Sequence, residues 1–251
     1  MIVAEDLSKR YGSTLAVDEL SLTVDGELFV FLGPNGAGKT TTIKLMTGLL
    51  RPDRGRVRIN GFDMATQPLE AKSCLGLVPE RPYVYPKLTG REFLFFMADL
   101  YRVDRATALR RFEHLVELFD LGSHIDRLIE TYSHGMKQKI ALSGALIHDP
   151  KVLFLDEPTV GLDPKSARNL KNLLKGLVQR GVTVFMSTHI LEIAESMCDR
   201  VGIIDKGKLI ALGTMAELRG RSSRHRSLED IFLELTGGDE YREVLKYLEE
   251  S

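Results

Sequence analysis

A glycine-rich segment, Gly33–Thr40, limits the folds open to this chain more than any other part of its sequence. Its residues are Gly33, Pro34, Asn35, Gly36, Ala37, Gly38, Lys39 and Thr40, which match the pattern G-x-x-x-x-G-K-[ST]. Residues 27–32 before it predict a buried strand, and residues 41–50 after it predict a helix. In that context the glycines let successive backbone N–H groups point at one anion, and the helix N-terminus adds partial positive charge. The segment therefore predicts a phosphate-binding loop.

The side chains at the end of this loop indicate which phosphate compound it binds. Lys39 is expected to reach the β- and γ-phosphates of a nucleoside triphosphate, and the hydroxyl of Thr40 to ligate Mg²⁺. We assign all eight loop residues, together with Thr41, to nucleotide binding.

Composition excludes several classes of protein. The chain has 251 residues, 43% of them hydrophobic and 27% charged, as in an ordinary globular protein. A net charge of −1 gives no general attraction to nucleic acid or to an anionic membrane. No apolar run approaches the roughly 18 residues needed to span a bilayer, and the N-terminus does not resemble a secretory signal. The two cysteines, Cys74 and Cys198, form no metal-type pair, so we expect reduced thiols in the cytoplasm.

The pattern of apolar residues predicts an α/β fold with a mostly parallel core sheet. An antiparallel β part is expected from N-terminal strands at residues 1–7 and 15–24, with a turn at Lys9–Gly12. Further strands are expected at residues 56–59, 75–78, 152–155 and 182–186, and a hairpin at 201–212.

Residues 89–148 differ from the rest, because three amphipathic helices follow one another there with no strand between them. They are predicted at 92–101, 105–119 and 135–147. This pattern predicts a helical subdomain inserted into the α/β framework. We assign residues 1–218 to the main domain and 219–251 to a polar linker followed by a helical tail.

A second chemical signal is the pair Asp156-Glu157, which follows four apolar residues of a predicted buried strand. A strand that ends in aspartate brings a carboxylate to the open edge of the sheet, where Asp156 can hold Mg²⁺. Glu157 can then accept a proton from the attacking water as a general base. A kinase that transfers phosphate to a metabolite needs no such acid, so the pair favours hydrolysis.

At these residues the chain resembles the ATP-binding subunits of ABC transporters, over nearly its whole length. The segment Tyr132–Gln138 is similar to the signature of that family, usually Leu-Ser-Gly-Gly-Gln, and it opens a predicted helix. The resemblance implies that Ser133, His134 and Gly135 face the γ-phosphate held by a second, head-to-tail subunit. His134 is bulky where glycine is usual. The simpler interpretation of Ser133 is a helix N-cap.

The resemblance assigns four further residues. Asp163 of Gly161–Pro164 matches the D-loop, although Asp-Pro alone would indicate only a helix start. His189 matches the switch histidine against the γ-phosphate. Tyr11 matches the aromatic position that stacks on adenine, with a packed loop tyrosine as the alternative. Glu80 stands where many relatives have the Q-loop glutamine, and we expect it to keep that residue's contact with the metal.

The resemblance also implies cofactors and partners. ATP and Mg²⁺ are expected, with Glu157, His189 and Lys39 as the catalytic residues and Thr40, Glu80 and Asp156 at the metal. The expected partners are a second ATPase subunit, identical or different, and separate integral membrane subunits that contact residues 80–82 and the helical subdomain. The signature and the tail residues 227–232 resemble exporters of the ABC-2 type. We expect a peripheral protein on the inner face of the cell membrane.

Two rival functions remain at this stage. One is an ABC ATPase that acts on nucleic acid or ribosomes, although the long coiled coil or second cassette typical of such relatives is missing from this sequence. The other is a small-molecule kinase, which leaves Ser133–Gly135 and His189 without a role. We therefore expect no nucleic-acid partner.

Overall fold

The computed structural model describes residues 1–160, 162, 164–220 and 228–236. The strands in these residues are β1 (Ile2–Tyr11), β2 (Thr14–Val24), β3 (Leu28–Leu32), β4 (Arg54–Ile59), β5 (Phe62–Asp63), β6 (Leu75–Val78), β7 (Val152–Asp156), β8 (Thr183–Thr188), β9 (Arg200–Asp205) and β10 (Lys208–Gly213). The helices are α1 (Lys39–Met46), α2 (Pro68–Ser73), α3 (Gly90–Leu100), α4 (Arg105–Leu118), α5 (His134–Leu146), α6 (Pro164–Gln179), α7 (Leu191–Met197), α8 (Met215–Gly220) and α9 (Leu228–Thr236).

The strands form two sheets. A six-stranded sheet has the order β10-β9-β3-β8-β7-β6 and is parallel except for β10, which pairs with β9 as a hairpin. A four-stranded antiparallel sheet has the order β2-β1-β4-β5. These two sheets with their helices confirm the predicted α/β fold class.

The central strands are apolar on both faces because both faces of the parallel sheet are covered. Every residue of β3, β7 and β8 is buried. One face packs against α1 and the antiparallel sheet through an aromatic cluster of Phe29, Phe31, Phe154 and Phe185. The opposite face packs against α3–α7 and α9. This enclosure holds the strand ends, and the loops that follow them, in place.

Parallel pairing brings the functional loops to one edge. In the register of β3, β7 and β8, Leu32 lies beside Thr188, and Asp156 lies beside Ser187. The phosphate loop follows β3, Glu157 follows β7 and His189 follows β8. Because the carboxyl ends of parallel strands meet at the same edge, these three segments converge there.

We call residues 89–148 the helical arm; it contains α3, α4 and α5. Its only β pairing among the described residues is a single bridge between Thr89 and Leu128. His148 joins the arm to the core, because its ring stacks on Tyr101 at 3.6 Å and its Nε2 shares a hydrogen bond with the carbonyl of Leu75. Burial lowers the pKa of His148 to about 4, so the ring is neutral at pH 7.

Several sequence-based boundaries were wrong. β1 continues through Lys9 and Tyr11, so the predicted turn at Lys9–Gly12 is reduced to residues 12 and 13, because β1 pairs with β2 as far as Tyr11. The helix after the phosphate loop ends at Met46, just before Gly48, whose φ of 66° is left-handed. Helices α2, α7 and α8 and the two-residue strand β5 were not predicted.

The predicted linker and tail are only partly described. Arg219 and Gly220, assigned to the linker, form the end of helix α8. Helix α9 packs on its own domain, with Leu228 and Ile231 buried in the core and the backbone N–H of Leu228 donating to Glu195. Residues 221–227 and 237–251 lie outside the described part. Among the described residues, none of the helices combines the length and the hydrophobicity of a membrane span.

The start of the helical arm depends on a capping box at Thr89. The Thr89 hydroxyl accepts from the backbone N–H of Glu92, whose carboxylate accepts from the backbone N–H of Thr89 at 2.7 Å. We expect Thr89→Ala to lower the free energy of unfolding by about 1 kcal/mol. Urea denaturation measures this, with Thr89→Ser as the control that keeps the cap. Equal midpoints for all three proteins would contradict the role of the cap.

Candidate functional site

The phosphate loop is held by close contacts that only glycine permits. At Gly33, an added Cβ would lie 2.5 Å from the carbonyl oxygen of Ile204. Gly38 has a φ of 110°, and a Cβ there would lie 2.4 Å from the carbonyl oxygen of Ala16. The loop therefore packs between β9 and β2, with α1 beginning directly after Gly38. The first backbone N–H groups of α1 have no partners inside the helix and can bind an anion.

Lys39 is folded into this loop. Lys39 is only 6% exposed, and its ammonium donates to the carbonyl oxygens of Gly33 at 2.8 Å and Pro34 at 3.2 Å. The same nitrogen lies 3.4 Å from Oε1 of Glu157. The loop therefore already positions a cation beside the carboxylate predicted to act as the base.

An open pocket of about 410 Å³ brings together half of the predicted site residues. It is lined by Ala16, Asn35, Gly36, Gly38, Lys39, Thr40, Thr41, Glu80, Glu157, Val160 and His189. Residues from five separate stretches of the sequence, the phosphate loop among them, thus share one pocket.

Glu157 is held in a strained and buried position. Its φ of 50° lies in the left-handed region, which non-glycine residues rarely adopt. Its backbone N–H is shared between the carbonyl oxygen and the hydroxyl of Ser187, at 3.2 and 3.1 Å. Neither carboxylate oxygen makes a hydrogen bond of ordinary geometry in the described part of the chain, although the residue is 7% exposed. Such a carboxylate is free to accept a proton from a bound water.

His189 approaches the same carboxylate from β8. Its Nδ1 lies 3.0 Å from Oε1 of Glu157, and its side chain remains 43% exposed toward the pocket. Lys39 and His189 therefore contact one oxygen of Glu157. The second oxygen makes neither contact.

The residues predicted for Mg²⁺ fit a hard cation that arrives with a nucleotide. Thr40 and Glu80 line the pocket, and the Thr40 hydroxyl makes no hydrogen bond within the described residues. Asp156 is buried at the end of β7, where its Oδ1 accepts from the Ser187 hydroxyl at 2.5 Å, and it does not line the pocket. The described residues contain no group of three acidic, histidine or cysteine side chains that could hold a metal alone. Oxygen ligands supplemented by substrate phosphates are what Mg²⁺ prefers.

Tyr11 lies away from the pocket lining, at the end of β1. It is half exposed and pairs with Thr14, while Ala16 of the same hairpin touches the phosphate loop. Its exposed ring therefore lies on the hairpin that borders the phosphate loop. Stacking of this ring on adenine stays a prediction.

The signature segment begins helix α5 but does not line the pocket. Ser133 is its N-cap and accepts from the backbone N–H of Met136 at 3.3 Å, while His134 is exposed. Tyr132 stands where the family signature usually has leucine. Its side chain is buried, and its hydroxyl donates to the carbonyl of His124. A Cβ at Gly135 would meet no atom within 4 Å. The fold of this chain therefore does not itself require that glycine. Asp163 lies outside the described residues.

Two residues of the site were not predicted from the sequence. The first is Ser187, whose hydroxyl donates to Asp156 and accepts from the backbone N–H of Glu157. The second is Gln138 of the helical arm, whose Nε2 donates to the carbonyl of Pro158 at 3.4 Å. Gln138 thus links the signature helix to the loop that follows Glu157. Ser187 stands two residues before the predicted His189, but its pairing with Asp156 depends on the strand register.

The chain is similar to several known proteins. A family model described as ABC transporter matches residues 17–160. The linearmycin resistance ATP-binding protein LnrL of Bacillus subtilis is 40% identical over 222 residues, which are 88% of this chain and 71% of that protein.

Solved structures show the same fold. The ATP-binding subunit of an ABC transporter superposes with a TM-score of 0.89 at 34% identity, over 94% of this chain and 99% of the other. A dimeric ATP-binding cassette, MJ0796 in a post-hydrolysis state with ADP and Pi, has a TM-score of 0.78 at 23% identity, over 86% of this chain and 99% of the other.

Proposed function

The chain belongs to the ABC transporter family, and we propose that it is the ATP-hydrolysing subunit of an exporter whose membrane-spanning subunits are separate proteins. The observation that carries the catalytic part is the convergence of Lys39 and His189 on Oε1 of Glu157, at 3.4 and 3.0 Å. The resistance function in the name of the Bacillus relative supports export.

ATP binds with its phosphates in the phosphate loop. Lys39 then exchanges its contacts with the carbonyls of Gly33 and Pro34 for the β- and γ-phosphate oxygens, because these carry negative charge and the carbonyl oxygens do not. The N-terminus of α1 adds its partial positive charge. Thr40, Asp156 and Glu80 would hold Mg²⁺, which would neutralise charge on the phosphates.

Hydrolysis needs a water held in line with the γ-phosphate. Glu157 accepts a proton from that water as it attacks, which its unpaired second oxygen permits. His189, on the same carboxylate, donates toward the γ-phosphate and orients Glu157. Ser187 keeps both acidic residues in position through its hydroxyl.

The site is completed by a second subunit. Ser133, His134 and Gly135 lie at an exposed helix N-terminus outside the phosphate pocket, and the open space at Gly135 leaves room for another molecule. A helix N-terminus with a hydroxyl favours an anion. We assign its ligand as the γ-phosphate of ATP on a head-to-tail partner. The solved neighbour with ADP and Pi is a dimer, which supports this arrangement.

An exposed aromatic surface next to Glu80 is suited to the membrane subunit. Tyr83 is 85% exposed, and Tyr85, Phe96 and Leu100 are also exposed. Tyr85 and Phe96 contact each other edge to face at 5.4 Å. Exposed apolar clusters of this kind mark interaction sites. Docking there places the protein at the inner face of the membrane and connects the partner to Glu80 in the pocket.

Mixing two inactive variants tests the composite site. Lys39→Met damages the phosphate loop, and Gly135→Ala damages the signature with no clash in its own chain. A mixed dimer has one site in which both halves are intact, so the mixture should recover about a quarter of wild-type ATPase activity if subunits pair at random. Each variant alone should be inactive.

The control for Gly135→Ala is Gly176→Ala, because Gly176 is also a helical glycine with no atom within 4 Å of its added Cβ. It should leave activity unchanged. If the mixture stays as inactive as the separate variants while mixed dimers form, the signature does not act across subunits.

A further inference from the structure

A second cavity, of about 610 Å³, lies between the helical arm and the core. The end of α4 and the helix α5 form one wall, α6 forms the other, and Val78 and Leu155 of the sheet lie at the floor. It shares no lining residue with the pocket beside the phosphate loop. The proposed ATPase mechanism uses none of this space.

The lining of this cleft is amphipathic. Leu118, Leu142 and Leu173 present apolar surface from the two walls. Lys139 from α5 and Lys165 from α6 make no ion pair within the described ranges. Among the described lining residues Asp120 is the only carboxylate, so positive charge is in excess there.

A buried polar side chain in the lining is incompletely satisfied. Gln138 is 5% exposed, and its Oε1 has no hydrogen-bond partner in the part of the chain that the structure describes. Its Nε2 makes only the long bond to Pro158. Buried polar atoms without partners cost free energy, so a small shift that pairs Oε1 with a ligand donor is favourable.

We propose that this cleft is a regulatory site for a small amphipathic organic anion. The apolar body of the ligand packs on Leu118, Leu142 and Leu173, and its anionic group lies between Lys139 and Lys165. The volume falls within the range typical of small-molecule sites, and a few polar groups in an apolar wall are their usual composition.

Occupancy of the cleft restrains the arm relative to the core. The ligand contacts Gln138, three residues beyond Gly135 of the signature, and Pro158, the residue after Glu157. A molecule wedged between them opposes any movement that brings the signature toward a partner's nucleotide. The ligand therefore lowers ATP hydrolysis, a consequence that rests on the proposed function, whereas binding itself does not.

The test uses the full chain saturated with ADP and the fluorescent anion 8-anilinonaphthalene-1-sulfonate. One molecule per subunit should bind, and Lys139→Ala with Lys165→Ala should weaken binding at least about tenfold. The control Lys175→Ala removes an exposed lysine of α6 that does not line the cleft and should change nothing. N-phenyl-1-naphthylamine, the same probe without the sulfonate, should bind at least about tenfold more weakly.

Binding results that differ from those expected overturn the proposal of an anion site in the cleft. Loss of the bound probe on ADP saturation would place it in the nucleotide site. Equal binding by the neutral probe, or by the double lysine variant, would exclude an anion site. As a second variant, Asn169→Trp at the exposed rim should block binding by filling the cleft, and unchanged binding would place the probe elsewhere. Failure of these binding tests leaves the ATPase assignment intact, because binding and hydrolysis are measured separately.

Discussion

Replacing Glu157 by glutamine is expected to lower the rate of ATP turnover by about 100- to 10,000-fold while ATP still binds. The amide has nearly the shape of the carboxylate but cannot accept a proton from the attacking water. Glu157 is buried and one of its oxygens contacts neither Lys39 nor His189. Glu80 is the one other carboxylate among the described pocket residues, so it alone could replace Glu157 there as the base. Loss of its negative charge also removes repulsion of the γ-phosphate, so ATP affinity should not fall.

Phosphate release measures the turnover, and calorimetric titration measures ATP affinity. Glu113→Gln is the matched control, because Glu113 is exposed on α4 and lines neither pocket described above. It should keep wild-type activity. Near-normal turnover in Glu157→Gln would remove this residue as the base and leave Glu80 as the candidate.

Replacing Lys39 by methionine is expected to weaken ATP binding by about 100-fold, since one or two charge-assisted hydrogen bonds to phosphate are lost. Methionine has a similar length, so the buried stem is retained. The variant also removes the cation that neutralises Glu157 at 3.4 Å in the free subunit. Two negative groups, the carboxylate and the γ-phosphate, then face each other without a cation from the loop.

Lys44→Met is the control for this prediction. Lys44 lies on the same helix, α1, but is exposed and does not line the pocket. Its affinity for ATP should equal that of the wild type. Circular dichroism of both variants checks that α1 is intact, and unchanged ATP affinity in folded Lys39→Met would exclude Lys39 as the main phosphate ligand.

The parts of this site formed by residues adjacent in the sequence could be predicted from the sequence. The phosphate loop could be placed because its glycines and Lys39 are contiguous and follow an apolar strand. Asp156-Glu157 could be placed for the same reason, as both directly follow a buried strand. His189 could be placed only through family resemblance, because a single histidine after a strand carries no chemical signature.

The departures from the family pattern needed the structure to be understood. Tyr132 replaces a usual leucine, and its hydroxyl finds a partner in the carbonyl of His124. The open space at Gly135 could not be seen from a sequence, because it depends on what surrounds the helix N-terminus. The predicted turn at Lys9–Gly12 failed because cross-strand pairing outweighed the local turn residues.

The sequence alone determined the α/β class and the positions of the glycine-rich loop after β3 and the acidic pair at the end of β7, since these depend on residues adjacent in the chain. Only the tertiary structure decided that Ser187 holds Asp156 and Glu157, that Lys39 and His189 share one oxygen of Glu157, and that Gln138 reaches Pro158. These contacts join residues that are distant in sequence, and strand register and helix packing set their distances. No local pattern of residues encodes that register, which is why the geometry of the site, and the presence of Ser187 and Gln138 in it, required the fold.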